Sequence, residues 1–279
     1  MNAVQQKPNL IVQLSTFAAM VRKELIILAR YPVEFFASFA QILVVVTVFT
    51  LAGLTFSTTG DGDSITSGVV SYGFILYLFL NDTLWTVGFH IRREQVQGTL
   101  EQLYLSPASK FASLVARVIH LLVWTSMLAV VAVLIMRTLL GTLPVHNLGL
   151  GTFLLLMNLS GTFGVGFAFA AVTLWLRQTA ETLVNFLQFG FIIFGAVFFP
   201  FAALPDWMQT IARFIPLSHG VDIFRSTLMD YPPGFPELAP RGIQIVIVTI
   251  FGLFMPLVGY RMYRRAERTV RKKGTLSQY

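Results

Sequence analysis

Residues 91–110 read IRREQVQGTLEQLYLSPASK and form a short polar segment between two long apolar runs. The segment contains Arg92, Arg93 and Lys110 but only two acidic residues. Because Lys and Arg beside a membrane span resist translocation, we expect this segment on the cytoplasmic face. Its pattern also predicts a short amphipathic helix over residues 98–106, which Gly-Thr begins and Ser-Pro ends. A helix of this kind on the cytoplasmic face is typical of a docking surface for another protein.

The composition is that of an all-α integral membrane protein. Of the 279 residues, 55% are hydrophobic and only 12% are charged, with a mean hydropathy of +0.71. A soluble domain has about 25% charged residues. The net charge of +7 does not indicate a nucleic-acid partner, because the basic residues lie at the ends of apolar runs. The absence of cysteine excludes disulfides, thiolate metal ligands and a thiol nucleophile.

Six apolar runs have about the length that a bilayer crossing needs, roughly 20 residues. The predicted transmembrane spans are residues 36–56, 68–90, 114–136, 148–176, 183–199 and 242–263. With both termini in the cytoplasm, all but four of the 20 Lys and Arg lie on the inner side, the exceptions being Arg137, Arg213, Arg225 and Arg241. We therefore expect a multi-pass protein of the cell (inner or plasma) membrane, folded as a single domain over residues 1–279.

The sequence predicts further features before and within these spans. Residues 10–30 repeat apolar residues at helical spacing and carry three cations, which predicts an interfacial helix on the cytoplasmic side; the alternative is an extension of the first span. No cleavable signal peptide is expected, and the first span should act as its own insertion signal. In the fourth span, small residues such as Ser160, Gly161 and Gly164 should let another helix approach closely.

Residues 200–240, called here the outer segment, separate the last two predicted spans. The segment is rich in proline and contains two short apolar pieces, residues 206–215 and 219–229. Each piece is too short to cross a bilayer, so we predict outer re-entrant or interfacial helices that surrounding protein shields. Asp206 and Ser218 are the predicted N-caps of these helices.

Ionisable residues within or near the spans are candidate functional groups. Asp82, preceded by Asn81, lies within the second predicted span, where a charge indicates a substrate contact, a proton relay or an interhelical hydrogen bond. The alternative is a position near the cytoplasmic end, paired with a cation or hydrated. Asp222 and Arg225 are spaced to pair on one helix face, either to anchor an outer gate or as an ordinary solvated pair.

No catalytic or metal site is predicted. The four histidines show no metal-ligand spacing, and the sequence has no paired-carboxylate or G-x-S-x-G motif. The chain is therefore not expected to be an enzyme.

Three stretches carry a family resemblance. Residues 21–32 read VRKELIILARYP and residues 93–109 read REQVQGTLEQLYLSPAS, which is similar to the pattern R-E-x-x-x-G-T-x-E-x-L-x-x-(S/T)-P-x-S. Residues 204–225 read LPDWMQTIARFIPLSHGVDIFR, with the landmarks L-P-x-W and P-L-(S/T). In these motifs the chain resembles, over essentially its whole length, the membrane subunits of type-2 ABC exporters. The sequence of the N-terminal motif is more similar to that of the drug and lipid exporter branch than to that of the polysaccharide branch.

The resemblance implies a permease that works with a second permease copy, as a homodimer or a paralogous heterodimer, and with a separate nucleotide-binding subunit. ATP and Mg would bind to that subunit, since this sequence has no G-x-x-x-x-G-K-(S/T) motif. By analogy, the residues of the coupling helix that contacts the ATPase are Gly98, Thr99, Leu100, Glu101, Leu103, Ser106 and Pro107. By the same analogy, the residues that build the outer gate are Leu204, Pro205, Trp207, Pro216, Leu217 and Arg225.

Two functional hypotheses follow from these observations. The first is a permease subunit of an ATP-driven exporter for a hydrophobic or amphipathic substrate, such as a drug, lipid or glycolipid. The second is a stand-alone ion-coupled transporter or channel that uses Asp82. Secondary transporters usually show internal repeats, and residues 1–140 do not convincingly resemble residues 141–279. The first hypothesis is therefore favoured.

Overall fold

The structure of the protein, a computed structural model, describes residues 63–96, 110–140, 145–176 and 180–272, together with single helical residues and short helical runs between 18 and 48. The four continuous ranges contain seven α-helices and one 3-10 turn, and no strand occurs among the described residues. In chain order these elements are α1 (Asp63–Val96), α2 (Lys110–Leu140), α3 (Leu148–Leu176), α4 (Ala180–Phe194), the 3-10 turn (Phe201–Ala203), α5 (Asp206–Phe214), α6 (Pro216–Leu228) and α7 (Arg241–Lys272). The all-α prediction is confirmed for this part of the chain.

Two described helices are long and apolar enough to cross a bilayer, namely Leu148–Val172 within α3 and Arg241–Thr269 within α7. Two other apolar stretches, Leu122–Ile135 and Asn185–Phe194, are shorter than the roughly 20 residues that a crossing needs. The number of six spans stays a prediction. Apart from the single helical residues, the predicted interfacial helix, the first span and the coupling helix lie outside the described residues.

The helix bounds follow the apolar runs closely but not everywhere. α3 has the predicted bounds, whereas α1, α2 and α7 extend beyond the predicted spans. The fifth span was predicted over residues 183–199, but α4 ends at Phe194 and turns follow it. Ala196 has a φ of 45°, a left-handed conformation that a right-handed helix cannot continue through. The helix in this region therefore ends before the last residue of the predicted fifth span.

α3 and α7 pack against each other through small residues, as the pattern of small residues in the fourth predicted span indicated. A side chain at Gly164 or Gly259 would collide with the backbone of the other helix. Ser160 Oγ donates a hydrogen bond of 2.7 Å to the carbonyl oxygen of Gly252. Close approach of two helices at such residues is typical of membrane proteins, where packing rather than hydrophobic burial holds helices together.

α6 lies at the centre of the described structure. All its residues from Ser218 to Leu228 are buried, and it packs against α1, α3 and α7. Its Ile223 shares an apolar core with Leu76 of α1 and Leu154 of α3. The two predicted short helices of the outer segment are thus present, as α5 and α6, and the second is surrounded by protein.

The predicted N-caps of these two helices are wrong. α5 begins at Asp206 with Pro205 as its cap, and α6 has Pro216 in its first turn. Proline suits the start of a helix because its fixed φ fits and its missing N–H is not needed there. Ser218 Oγ instead donates to the carbonyl oxygen of Phe194 at 2.8 Å, so it joins α6 to the end of α4.

Candidate functional site

The outer segment contains a fully buried arginine. Arg225 lies on α6 with 0% of its surface exposed. Its Nη1 donates to the carbonyl oxygens of Ala196 at 3.2 Å and Phe199 at 3.1 Å, both in the turn after α4. Its Nη2 donates to Oδ1 of Asp222 at 3.4 Å. These partners are required, because a buried charge without them is strongly destabilising.

Asp222 is the second fully buried member of this site. While Oδ1 accepts from Arg225, Oδ2 accepts from the backbone N–H of Leu238 at 2.8 Å and from Nε2 of Gln244 at 2.8 Å. The same Nε2 also donates to the carbonyl oxygen of Ala239 at 2.9 Å. Asp222 therefore joins α6 to the loop before α7 and to the first turns of α7.

Glu237 completes the charged groups. Its Oε2 lies 3.7 Å from Arg225 Nη2, and its side chain is 12% exposed. The same oxygen accepts a hydrogen bond of 3.0 Å from the backbone N–H of Ala202 in the 3-10 turn. Burial raises the pKa of the Glu237 carboxyl above its ordinary value, although the Arg225 guanidinium acts in the opposite direction. We call Asp222, Arg225, Glu237 and Gln244 the Arg225 cluster.

Two aromatic rings cover the guanidinium of Arg225. The ring centres of Phe201 and Phe235 lie 5.0 Å and 5.4 Å from Arg225 Cζ. Cation–π attraction of this kind stabilises a desolvated cation while the rings keep water away.

The Arg225 cluster therefore connects five pieces of chain: the turn after α4, the 3-10 turn, α6, the loop over residues 229–240 and the start of α7. Arg225 is the common partner, since its hydrogen bonds, ion pairs and ring contacts reach four of these pieces directly. Such an arrangement holds the outer segment as one rigid unit. Among the described residues, no group of His, Asp or Glu side chains is arranged to hold a metal ion.

The predicted outer-gate residues fall into two groups. Leu204 is buried beside the cluster, in an apolar group with Phe201 and Leu238, and Pro216 and Leu217 begin α6, with Leu217 packed on the core. The solvated alternative for Asp222 and Arg225 is wrong, because both side chains are fully buried. A gating role for any of these residues stays a prediction.

Trp207 lies apart from the cluster. It is 60% exposed on α5, and Ile211 and Phe214 are exposed at the following helical positions. These three side chains share one face of α5, since they recur at i, i+4 and i+7. Pro205 caps the same helix.

Sequence reasoning missed Glu237 and Gln244. Neither belongs to a recognisable motif, and both reach Asp222 or Arg225 from distant positions in the chain. A polar residue at the start of an otherwise apolar span was the one available signal for Gln244.

Asp82 lies well inside α1 and forms an interhelical hydrogen bond. Its Oδ2 accepts from Thr125 Oγ1 of α2 at 2.7 Å. The partner that the described residues supply to this oxygen is thus a hydroxyl group rather than a cation. The neighbouring Asn81 Oδ1 is buried without a hydrogen-bond partner. Of the three roles predicted for Asp82, namely a substrate contact, a proton relay and an interhelical hydrogen bond, the structure contains the interhelical hydrogen bond.

A second polar connection, not predicted, joins α1 to α4. Gln188 Nε2 donates to the hydroxyl oxygen of Tyr77 at 2.7 Å, and Trp85 Nε1 donates to Gln188 Oε1 at 3.0 Å. Hydrogen bonds between helices are a usual means of holding a membrane bundle together. The predicted coupling residues, at positions 98–107, lie outside the described residues.

Comparison with known proteins decides the family. A family model described as the ABC-2 type transporter matches residues 15–229 of this chain. The chain belongs to the ABC-2 type transporter family. It is also 29% identical over 104 residues to Nodulation protein J of Sinorhizobium fredii (strain NBRC 101917 / NGR234). That match covers 35% of this chain and 39% of the relative.

Membership in the ABC-2 family places this chain among membrane components of transporters. The matched range includes the predicted coupling helix and ends just after α6. Asp222 and Arg225 therefore lie within the part that the family model describes, while Glu237 and Gln244 lie beyond it. The resemblance found in the sequence motifs is confirmed.

Proposed function

We propose that this ABC-2 chain is the permease subunit of an ATP-driven exporter that moves a hydrophobic or amphipathic substrate, such as a drug, lipid or glycolipid. The substrate would leave the cytoplasm or the inner leaflet by alternating access between two permease copies. The family match over residues 15–229 carries this proposal. The sequence has no phosphate-binding G-x-x-x-x-G-K-(S/T) motif, so the force must come from a separate ATPase subunit that binds ATP and Mg.

The predicted coupling helix over residues 98–106 is where that force would enter the chain. The helix carries an acid, Glu101, between Leu100 and Leu103. The leucines suit an apolar groove on a partner, and a single carboxylate among them suits a cationic group there. We assign the ATPase contact to this helix, with Glu101 as its specific polar contact.

The Arg225 cluster supports a rigid outer gate. Because one buried guanidinium joins the turn after α4 to α6 and to the loop before α7, these pieces cannot move independently without exposing an unpaired charge. We infer that the outer segment opens and closes as one unit when the spans on either side of it move. Movement would then occur between permease copies rather than inside the segment.

The stand-alone transporter hypothesis draws on Asp82. A carboxylate at membrane depth is costly and is usually retained because it has a function. The hydrogen bond between Asp82 and Thr125 already gives Asp82 such a function, the attachment of α1 to α2. Asp82 therefore needs no transported ion to explain it, and the exporter is favoured.

The test is to purify the chain with its partner ATPase subunit, reconstitute the complex in liposomes, and measure substrate-stimulated ATP hydrolysis and export. Glu101→Ala should lower stimulated turnover at least tenfold, because the docking contact that transmits force is lost. Gln102→Ala, its neighbour on the same predicted helix, is the matched control and should keep most of the activity.

Two outcomes would contradict the proposal. If the Glu101→Ala complex assembles normally and its stimulated turnover equals that of the wild type, the coupling assignment is wrong. If the chain without any ATPase transports in response to an ion gradient alone, and Asp82→Asn abolishes that transport, the stand-alone transporter hypothesis replaces the exporter.

A further inference from the structure

The last helix continues well past its apolar part. Residues 243–260 are almost wholly apolar and extend about 27 Å at 1.5 Å per residue, close to the roughly 30 Å of a bilayer's hydrocarbon core. α7 nevertheless remains helical to Lys272. The first two turns of this extension carry four arginines, which we call the arginine stripe: Arg261, Arg264, Arg265 and Arg268.

The four arginines lie on one exposed face of α7. Their spacing is i, i+3, i+4 and i+7, which places them together on a helix surface, and all four are exposed. On the opposite face, Tyr263 and Ala266 are buried, with Tyr263 beside the ring of Phe167 on α3 at 5.9 Å between ring centres. The extension is thus held in place by protein on one side and presents cations on the other.

Four like charges on adjacent helical turns repel one another. The carboxylates of Asp222 and Glu237 form their ion pairs with Arg225, far along the chain from the stripe. An anionic partner from outside these residues would relieve the repulsion. Since the side chains are already exposed on a helix that packs on α3, such a partner needs no rearrangement of the protein.

The depth of the stripe favours lipid headgroups as this partner. Arg261 directly follows the apolar run, Arg265 lies about 6 Å farther along the axis and Arg268 about 10 Å. Each headgroup layer is about 5–7 Å thick, and arginine side chains can bend back toward the membrane. The Arg264 guanidinium lies 5.8 Å from the ring centre of Tyr260, a residue type enriched at the membrane–water interface.

We propose that the arginine stripe binds the phosphate groups of anionic phospholipids in the cytoplasmic leaflet. Guanidinium groups form paired hydrogen bonds with phosphate oxygens, and several cations just beyond a span attract anionic headgroups. The stripe would fix the depth of α7 in the bilayer at the end of the chain opposite the Arg225 cluster. This inference does not depend on the transported substrate.

The test uses the full-length chain in nanodiscs, with spin-labelled phosphatidylglycerol and phosphatidylcholine as probes of the lipid shell. The wild type should favour phosphatidylglycerol severalfold, and 0.5 M salt should reduce that preference through screening. Arg264→Gln with Arg265→Gln should remove most of this preference, while the paired lysine substitutions should retain most of it. The matched control is Arg137→Gln with Arg213→Gln, which removes two exposed arginines from separate helices and should change the preference less than twofold.

The melting temperature of the glutamine variant shows whether the variant is folded. An unchanged phosphatidylglycerol preference in the folded variant would overturn the proposal. So would a preference that 0.5 M salt does not weaken. If the glutamine variant keeps its phosphatidylglycerol preference but no longer co-purifies with the ATPase subunit, the stripe binds protein and the lipid assignment is wrong. Loss of preference with normal ATPase coupling supports the proposal and leaves the exporter function intact.

Discussion

The two ends of α7 have opposite electrostatic arrangements. At the end beside the outer segment, called here the outer end, Gln244 belongs to the Arg225 cluster, where two carboxylates and one guanidinium are largely or fully buried and bonded to each other. At the other end, four arginines are exposed on one face of the helix. The same type of side chain thus holds the fold together in one place and faces outward in the other.

This difference separates two functions of charge in a membrane protein. A buried ion pair constrains the chain, because breaking it leaves an uncompensated charge in a poorly solvated place. An exposed charge adds little to folding stability and acts mainly through what binds to it. Substitutions at the outer end should therefore alter stability, and substitutions at the arginine stripe should alter lipid binding while leaving stability almost unchanged.

The largest expected effect is that of Arg225→Ala. Removing the guanidinium leaves Asp222 and Glu237 buried without their cation, and two backbone carbonyls in the turn after α4 without a donor. Loss of one partner of a buried pair typically costs about 3–5 kcal/mol. Thermal unfolding of the purified protein in detergent should show this as a large fall in melting temperature.

The matched control for Arg225→Ala is Arg265→Ala in the arginine stripe, which removes the same side chain from an exposed position. It should change the free energy of unfolding by no more than about 0.5 kcal/mol. Arg225→Lys should recover only part of the loss, since an ammonium group lacks the planar fork that reaches several acceptors at once. Equal destabilisation by the two alanine variants would remove the distinction between the two ends of α7.

A smaller effect is expected at Gln244, the member of the cluster that lies on α7 itself. Gln244→Leu removes the donor shared by Asp222 Oδ2 and the carbonyl oxygen of Ala239, which should cost about 1–3 kcal/mol. Thr249→Val is the control on the same helix, because Thr249 bonds only to the local carbonyl of Ile245, and should cost under about 1 kcal/mol. Melting temperatures of both variants would rank their stability. A Thr249→Val variant less stable than Gln244→Leu would show that α7 is not anchored through Gln244.

Much of the helical arrangement could be predicted because the apolar runs are long and are interrupted by polar or proline-rich residues. The bounds of α3 coincide with the apolar run of the fourth predicted span. The end of α4 was not, since hydrophobic residues continue through Phe199 while the backbone leaves the helix at Ala196. Hydropathy measures composition, and a left-handed turn made by apolar residues does not change composition.

The candidate site was only half predictable for a related reason. Asp222 and Arg225 lie one helical turn apart, so their pairing is visible in local spacing. Glu237 and Gln244 reach the same guanidinium or carboxylate from a loop and from another helix. Contacts between distant positions leave no periodic signal. Burial of the pair was also invisible, because α6 is surrounded by helices whose packing the sequence alone does not specify.

The smallest expected effect concerns the pH dependence that Glu237 contributes. Burial raises the pKa of Glu237 in the folded protein above the ordinary value of about 4.3. Between the ordinary and the raised pKa the folded state therefore binds more protons than the unfolded state, and the stability from this group falls as pH rises. Glu237→Gln removes this dependence, so its stability relative to the wild type should improve from pH 4 upward, as melting temperatures at a series of pH values would show.

A wild type that instead gains stability over Glu237→Gln as pH rises would mean that the attraction to Arg225 outweighs burial. The outer end of α7 would then be held by two strong ion pairs rather than by one, and its contrast with the arginine stripe would be larger still.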